Sequence, residues 1–588
     1  MSCDPYRSTN LPNFWPYPLM LTDSRELQET LRPIKDDISA ILKAHGFAER
    51  VPFLPYVAQK PRYPGGDTPI NLLRVILLAA DDHPRRFGPA KDDLARLLNE
   101  RGITDMFVEI VNIDLCFQPS LFPMPPDPGL VVGFEEGKHS IINLIQSTLG
   151  NNWRLLCPFN IGRVEAEAGP AIVILVDPLT RANWSVLDTE IKALLARHCQ
   201  FQTLEVEFLP GDLAFLNGTS FAGRANVPVM GSSVGIHGDS NSGTLGGYVT
   251  LTKGGEVLKG FLTTYHVVRP LDPNSWMRQT EINHVQMESF SRQDTQATLS
   301  DLDAKISATN EQIERLSERI REREEMGGGS ATKLRDWVND FQSIVSGYRR
   351  ERQNVTSMPH LMGRVTATSG KAILGKRISD WAFVQMNDAA IEKFFRPNRM
   401  FPVRDNQQPG RYKAGESLAP SAGETLTDSG PLVEGDVYFK MGRTTGVTTG
   451  VCHGTRAICH WKDSIRYDHI GNENDLSVTT TEEYIIVSKR LNSAEHTQAA
   501  FVEDGDSGSL VIDTDGNVCG LVYAGFSGKC GAPGNEHFYV NAGLVTPITE
   551  VAQWVKFRTV RKDKDNKIIS APAELGLPQP SESQSSRS

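Results

Sequence analysis

The sequence predicts a multidomain protein in which an α/β domain precedes an all-β domain that carries a helical hairpin. Three observations support this. The chain has 588 residues and 65.0 kDa, which is more than one hydrophobic core accommodates. Its N-terminal part repeats a strand-helix-strand pattern, and two helical stretches interrupt strand-like sequence further on. The predicted units are a partly helical segment 1–49, an α/β domain 50–225, an all-β domain 228–560 with a hairpin insertion 292–352, and a disordered tail 561–588.

A weak internal duplication defines the α/β domain. Each copy has an apolar, β-prone run, an amphipathic helical stretch and a second apolar run, which is typical of parallel strands joined by a crossover helix. Phosphate-binding glycine patterns are absent from the sequence, so recognition, scaffolding or inhibition is favoured over a second active site. The two copies are Leu73–Leu78, Ala90–Arg101 and Met106–Val111, then Ala171–Val176, Trp184–His198 and Leu204–Phe208.

The hairpin is predicted from apolar residues at alternating steps of three and four. They form two series, separated by Gly327–Ser330, and two helices broken by glycines fold most simply as an antiparallel pair whose ends meet. The hairpin could gate a cleft, bind a protein partner, form a dimer or be a solvated projection. The two series are Leu299, Leu302, Ile306, Ile313, Leu316 and Ile320, then Leu334, Trp337, Phe341, Ile344, Val345 and Tyr348.

Composition excludes several classes of function. A net charge of −10 disfavours nucleic acid as a partner, and apolar runs fall short of the roughly 20 residues that cross a bilayer. The first 20 residues lack a secretion signal, so an intracellular, cytoplasmic location is expected. Eight cysteines show no disulfide pattern, and the spacing of Cys452-His453 and Cys459-His460 fits no standard zinc site. The sequence therefore predicts no metal and no cofactor.

The segment Asp504-Gly505-Asp506-Ser507-Gly508 is the strongest chemical signal in the chain. Glycines on both sides allow the backbone to turn its N-H groups inward around an exposed hydroxyl. Asp, Gly and Ser also dominate ordinary turns, so the segment needs a histidine and a carboxylate elsewhere in the chain to indicate catalysis.

His266 and Asp380 supply those partners. His266 lies in the apolar run Gly260–Val268, where a strand is expected to end, and Asp380 lies in Ile378–Val384, just before a short apolar strand. A catalytic imidazole needs a carboxylate on its second nitrogen to fix its tautomer and to stabilise its positive charge. Asp388 and Asp301 are competing acids, but the first follows the strand and the second falls in a helical stretch.

These motifs, in the order His266, Asp380 and Ser507, resemble the trypsin-like, chymotrypsin-fold serine proteases. Gly442-Arg443-Thr444-Thr445-Gly446 is similar to a segment of the bacterial-type, single-chain members such as alpha-lytic protease. The resemblance covers about residues 228–560 and implies a double β-barrel, with Gly505 and Ser507 N-H groups as an oxyanion hole. It also implies that Arg443 pairs with Asp506, which orders the loop without a newly made amino terminus.

The same resemblance implies where a substrate side chain binds. Phe501 takes the place of the aspartate that gives trypsins their preference for Arg and Lys, so an apolar or small side chain is expected. The implied pocket residues are Phe501, Val502, Tyr523, Ala524 and Gly525.

Two functions remain open at the level of sequence. The first is a serine endopeptidase that acts on polypeptides and whose accessory modules regulate access to Ser507. The second is a protease-fold regulatory or scaffold protein, with weak, self-directed or no proteolysis and with a protein partner bound by the hairpin or the α/β domain. An α/β-fold esterase is disfavoured because the serine lacks the Gly-x-Ser-x-Gly elbow.

Overall fold

The computed structural model describes residues 6–580, and no helix within that described part is long and apolar enough to span a membrane. Two mixed sheets form the N-terminal part, and two antiparallel β units form the C-terminal part. The gaps in the description are 12–14, 16–18, 62–65, 79–82, 85, 114–115, 117–119, 163–164, 178–179, 199–203, 217–226, 241, 270–284, 328–330, 358–359, 371, 404–418, 470–471, 489–499, 531–536, 559, 563–567 and 571–572.

The first sheet has five strands and is covered by three helices. Its elements are β1 (Arg7–Thr9), β2 (Met20–Asp23), α1 (Arg25–Leu31), α2 (Lys35–Ala44), β3 (Phe53–Gln59), β4 (Ile70–Leu77), α3 (Gly88–Glu100) and β5 (Met106–Asn112). β4 and β5 are parallel and α3 connects them. β1 pairs with β5 and β2 with β3, so these strands belong to this sheet, and the predicted segment 1–49 is not a separate unit in its described residues.

The second sheet shares strands with the C-terminal part. Its N-terminal elements are β6 (Ser120–Phe122), α4 (Pro128–Leu149), β7 (Trp153–Gly162), β8 (Gly169–Val176), α5 (Trp184–His198) and β9 (Glu205–Pro210). β8 and β9 are parallel across α5, and β7 continues the sheet into two strands of the C-terminal part. β10 (Asp212–Phe215) follows, and the predicted boundary near residue 225 lies outside the described residues.

The first β unit is one antiparallel sheet with a helical insertion. Its order is β12-β11-β15-β16-β19-β14-β13, and a last strand joins β13. The elements are β11 (Ser233–Ile236), β12 (Ser242–Thr244), β13 (Gly247–Lys253), β14 (Glu256–Thr263), α6 (Tyr265–Val268), β15 (Gln286–Ser289), α7 (Arg292–Glu325), α8 (Thr332–Thr356), β16 (His360–Thr368), β17 (Ala372–Leu374), β18 (Arg377–Ser379), β19 (Ala382–Met386) and α9 (Asp388–Phe394).

The hairpin helices α7 and α8 lie against each other along their length. Ion pairs join them near both ends: Arg335 with Glu324 beside the turn, and Arg352 with Asp303 at 2.6 Å near the base. The side chain of Ser291 caps α7 at the N-H of Asp294, which lies buried at the foot of the hairpin.

The second β unit is a closed barrel of six strands in the order β20-β21-β24-β27-β26-β25. Its elements, with the β22–β23 hairpin that pairs with β7, are β20 (Val437–Gly442), β21 (Gly446–Cys452), β22 (Ala457–His469), β23 (Asn472–Glu483), β24 (Ile485–Ser488), β25 (Leu510–Ile512), β26 (Val518–Cys530), β27 (His537–Pro547) and α10 (Ile548–Arg558). One apolar cluster contains Leu262 and Phe383 of the first unit with Leu510 and Val551 of the second, so the two units share a core.

Two strand assignments correct the predicted domains. β10 belongs to the predicted α/β domain by position but pairs with β26 of the barrel. The predicted disordered tail also contains strands: β28 (Val560–Lys562) pairs with β29 (Ile568–Ser570), and β30 (Ala573–Gly576) adds an edge to β13. Residues 573–576 stay ordered because Ala573 is buried and the backbone pairs with β13, whereas residues 581–588 lie outside the described part.

Candidate active site

His266 lies in the one-turn helix α6, directly after β14. Its Nδ1 is 2.7 Å from Oδ2 of Asp380, which is almost fully buried at the end of β18. The other carboxylate oxygen accepts the N-H of Tyr265 at 2.6 Å and the N-H of His266 at 3.3 Å. A carboxylate held in this way orients the ring and assigns the Nδ1 proton, which leaves Nε2 as the basic nitrogen.

The Ser507 loop is a tight turn that depends on glycine. Gly505 and Gly508 have φ values of +98° and +99°, which side-chain-bearing residues rarely adopt. A Cβ on Gly508 would lie 2.3 Å from the carbonyl oxygen of Thr244, and the N-H of Thr244 donates to the carbonyl of Ser507 at 2.7 Å. The loop, which belongs to the second unit, is therefore hydrogen-bonded to β12 of the first unit, so it lies at the junction between the two units.

The histidine turn and the serine loop converge on Gly243. A Cβ on that glycine would lie 2.4 Å from Cγ2 of Val267 and 2.9 Å from the carbonyl oxygen of Ser507. The hydroxyl of Ser507 donates to the carbonyl of Tyr523 at 2.9 Å, so a rotation about χ1 is needed before it can bond to His266. Val267, the residue after His266, and the carbonyl of Ser507 thus lie against the same glycine.

Asp506 is fully buried, and its ion pair differs from the predicted one. The ammonium of Lys440, on β20, lies 3.0 Å from Asp506 Oδ2 with both side chains fully buried. The N-H groups of Thr444 and Thr445 donate to Oδ1 at 2.9 and 3.2 Å, and the Thr445 hydroxyl donates to Oδ2 at 2.7 Å. Burial lowers the pKa of Lys440, and the charge of Asp506 opposes that shift.

Arg443 has a different carboxylate. Its guanidinium binds Asp294 through both Nε, at 2.5 Å, and Nη2, and the two side chains are buried. Arg443 also lies against the Ser507 loop, because a Cβ on Gly505 would lie 1.9 Å from its Nη1. The predicted Arg443–Asp506 pair is therefore corrected: the hairpin insertion supplies a carboxylate for the arginine, and β20 supplies a cation for Asp506.

Sequence reasoning missed Lys440 and Asp294, although each leaves a signal. Lys440 interrupts an apolar strand between Phe439 and Met441, where a buried ammonium requires an anion. Asp294 stands in the first turn of α7, a position that acidic residues favour on the surface as well. Neither signal identifies the partner, because Asp506 is 66 residues away from Lys440 in sequence and Arg443 is 149 residues away from Asp294.

Phe501 and Val502, two of the predicted pocket residues, pack with Leu216 in one apolar cluster, here called the recess, whereas Tyr523 and Ala524 belong to a different cluster. Phe501 and Val502 are fully buried, and the side-chain oxygen of Asn541 accepts both of their N-H groups at 2.7 and 2.9 Å. A Cβ on Gly525 would lie 2.8 Å from Val502 and 3.1 Å from the side chain of Leu216, so the recess contains Leu216. Tyr523 and Ala524 precede Gly525 on β26, next to β10.

The histidines of the two Cys-His pairs, His453 and His460, pack against residues of the N-terminal part. His453 is buried; its Nε2 is 2.8 Å from the carbonyl of Pro158, and its Nδ1 accepts the N-H of Met124 at 3.2 Å. Desolvation lowers its pKa to about 4, although the bond to Pro158 opposes the shift. The ring of His460 stacks on Trp153 at 4.5 Å, and desolvation lowers its pKa to about 4 as well. Both neutral histidines join the barrel to the N-terminal part.

Comparisons with known proteins give weak likenesses. No protein-family profile matches the chain, and no curated protein sequence matches it significantly. Among solved structures, Thermobifida fusca protease A and Nocardiopsis protease are each 12% identical, with a TM-score of 0.24, over 60% of this chain and 98% of theirs. Cellulomonas bogoriensis chymotrypsin is 12% identical, with a TM-score of 0.23, over 55% of this chain and 94% of its own. Likenesses at this level carry no argument about activity, which rests on the residues of this chain.

Proposed function

We propose that this chain is a serine endopeptidase. The observation that carries the proposal is the His266–Asp380 pair next to the serine loop: Val267, the residue after His266, lies against Gly243 together with the carbonyl of Ser507, and the N-H of Gly505 in that loop donates to a peptide carbonyl at 2.8 Å. A base, a nucleophile and an oxyanion donor at one point are the requirements of acyl transfer.

The residues suggest the following steps. Nε2 of His266 removes the hydroxyl proton of Ser507 as the oxygen attacks a peptide carbonyl, and Asp380 stabilises the imidazolium that forms. N-H groups of Gly505 and Ser507 bind the oxyanion. The imidazolium then protonates the leaving amine, and water hydrolyses the acyl-enzyme by the reverse sequence.

Lys440 and Arg443 act as positioning residues in this proposal. The loop must hold its N-H groups inward before substrate binds, since donors fixed in advance need no reorganisation during the reaction. Asp506 stands between Gly505 and Ser507 in the loop, and its ion pair with Lys440 fixes its side chain. Arg443, which is paired with Asp294, lies against Gly505. Phe501 and Val502 favour an apolar side chain before the cleaved bond.

A second candidate is a protease-fold regulatory protein without turnover. It is favoured by one observation: Ser507 is fully buried, its hydroxyl is bonded to Tyr523, and Leu216 fills the recess beside it. In that case the closed cleft is the final state, and the hairpin or the N-terminal part binds a protein partner.

Labelling with a fluorophosphonate, which reacts with an activated serine, separates the two candidates. Wild type and Leu216→Asp, which removes the apolar occupant, should be compared with the same proteins carrying Ser507→Ala. We expect Ser507-dependent labelling at least in the Leu216→Asp protein, and His266→Ala should reduce its rate by at least about 10³-fold. Absence of Ser507-dependent labelling in both folded proteins would rule out the endopeptidase.

A further inference from the structure

The segment 212–216 of this chain occupies the candidate active site as an extended peptide. β10 pairs antiparallel with β26 in the register Leu213 opposite Phe526, Ala214 opposite Gly525, and Phe215 opposite Ala524. Addition of a strand to a sheet edge is a common way to bind a peptide, because main-chain bonds give affinity and side-chain pockets give selectivity. Here the added strand belongs to the protein itself.

The side chains of this strand fit the site. Leu216 is 5% exposed and packs with Phe501 and Val502 in the apolar recess. The ring of Phe215 lies 5.2 Å from that of His266 and stacks on Trp461 at 5.0 Å. The residue in the recess and the residue beside the histidine are thus consecutive, as they are in a peptide aligned for attack.

The carbonyl of Leu216 is the group that the site polarises. Its oxygen accepts the N-H of Gly505 at 2.8 Å, within the range at which an oxyanion donor acts. The hydroxyl of Ser507 is bonded to the carbonyl of Tyr523, next to Ala524, which is paired with Phe215. Rotation of one side-chain torsion would therefore direct the hydroxyl at the carbonyl carbon of Leu216.

We propose that the protein cleaves its own chain at the peptide bond that follows Leu216, an inference that rests on the proposed endopeptidase function. Ser507 Oγ forms an ester with the Leu216 carbonyl carbon, the bond to the nitrogen of Asn217 breaks, and His266 returns the proton to the new amine. Water, deprotonated by His266, then attacks the ester and releases the Leu216 carboxylate and the Ser507 hydroxyl. One water is consumed for each bond broken.

The fragment 1–216 keeps its contacts with the barrel after cleavage. β22 pairs with β7, β10 pairs with β26, and His453 binds backbone groups at Met124 and Pro158. The new carboxylate lies beside Gly505, so the N-terminal fragment becomes a product that blocks its own enzyme until β10 leaves.

Intact mass and N-terminal sequencing of the full chain test the proposal. Made by cell-free translation and followed in time, wild type should yield fragments 1–216 and 217–588, and Ser507→Ala should stay intact. Because the site holds its own strand, the first-order rate should not change when the translated protein is diluted. Ser507→Ala should also resist cleavage by added wild type, since its own strand covers the bond.

Substitutions of the strand separate this inference from the proposed function. Leu216→Asp should abolish cleavage after residue 216 while Ser507 still reacts with the fluorophosphonate, and Leu216→Met should restore cleavage. Ala214→Asp, which places the same charge at an exposed position of the strand, should still be cleaved. Wild type that remains intact while Leu216→Asp is labelled, or cleavage at another bond, would overturn self-cleavage and leave the endopeptidase in place. Loss of labelling from every folded variant would instead overturn the endopeptidase itself.

Discussion

Replacement of Asp294 with Asn tests whether the hairpin insertion supports the active site. Asp294 and Arg443 are both buried, and two nitrogens of the guanidinium bind the carboxylate. Removal of one charge from a buried pair leaves the other uncompensated, which typically costs about 3–5 kcal/mol. We therefore expect Asp294→Asn to lower the free energy of unfolding by about 3 kcal/mol, since Asn keeps one acceptor for Arg443.

The assay compares stability with reactivity. Urea unfolding gives the loss of stability, and the rate of Ser507 labelling, measured where each protein is folded, reports the loop. Nη1 of Arg443 lies against Gly505, so a displaced guanidinium should slow labelling by about tenfold, equal to about 1.4 kcal/mol of lost transition-state stabilisation. The background for both measurements should be Leu216→Asp, in which the recess is open.

Two variants control this experiment. Asp301→Asn removes an exposed carboxylate of the same helix, which pairs with Lys305 at 2.7 Å, and should leave the midpoint of urea unfolding nearly unchanged. The double variant Asp294→Leu/Arg443→Met replaces the pair with apolar side chains and should regain most of the stability but not the labelling rate. If Asp294→Asn matches Asp301→Asn in both measurements, the pair does not support the loop and the reasoning is refuted.

Three further predictions concern a buried ion pair, a buried histidine and the glycine that follows Ser507. Lys440→Met should destabilise the protein by about 3–5 kcal/mol in urea unfolding, because Asp506 then loses its buried cation; a loss below 1 kcal/mol would contradict this. The pKa of His453 is about 4 in the folded protein against an ordinary 6.5, so the unfolded chain takes up a proton at a higher pH than the folded protein does. The contribution of His453 to the free energy of unfolding should therefore be full above pH 6.5 and fall by roughly 3 kcal/mol towards pH 4. In a series of unfolding curves at different pH values, His453→Gln should flatten this slope. Gly508→Ala should cost more than Gly255→Ala, since both have positive φ but only the first Cβ overlaps a backbone carbonyl; equal midpoints of unfolding would count against the tight loop.

The candidate site could be predicted from sequence where the chemistry is local. Gly505 and Gly508 stand at positive φ around Ser507, and that requirement is visible in the residues themselves. The carboxylate partners were less predictable. Arg443 is 63 residues from Asp506 in sequence, and Lys440 is 66, so two cations on one strand-turn segment were equally able to neutralise it. Which of the two pairs with Asp506 depends on which side chain of this segment points at the Ser507 loop, and that side chain is Lys440.

The fold shows the same division. The two strand-helix-strand copies follow from hydrophobic periodicity, because a buried parallel strand and an amphipathic helix each impose their own spacing. Strand pairing between distant segments does not follow from it. β10 joins β26 and β30 joins β13, and both are short strands whose neighbours are more than 300 residues away in the chain.

By itself the sequence determined which residues are the candidates for the proposed chemistry: Ser507 beside Gly508, His266 after β14 and Asp380 before β19. Only the tertiary structure decided what surrounds them. In the folded protein Asp506 pairs with Lys440, and Arg443 pairs with Asp294 of the inserted hairpin. Leu216 packs in the recess, and its carbonyl accepts the N-H of Gly505. The reason is physical: turns and periodicity are encoded within a few residues, whereas a buried charge or an open sheet edge is satisfied by whichever distant segment packs against it.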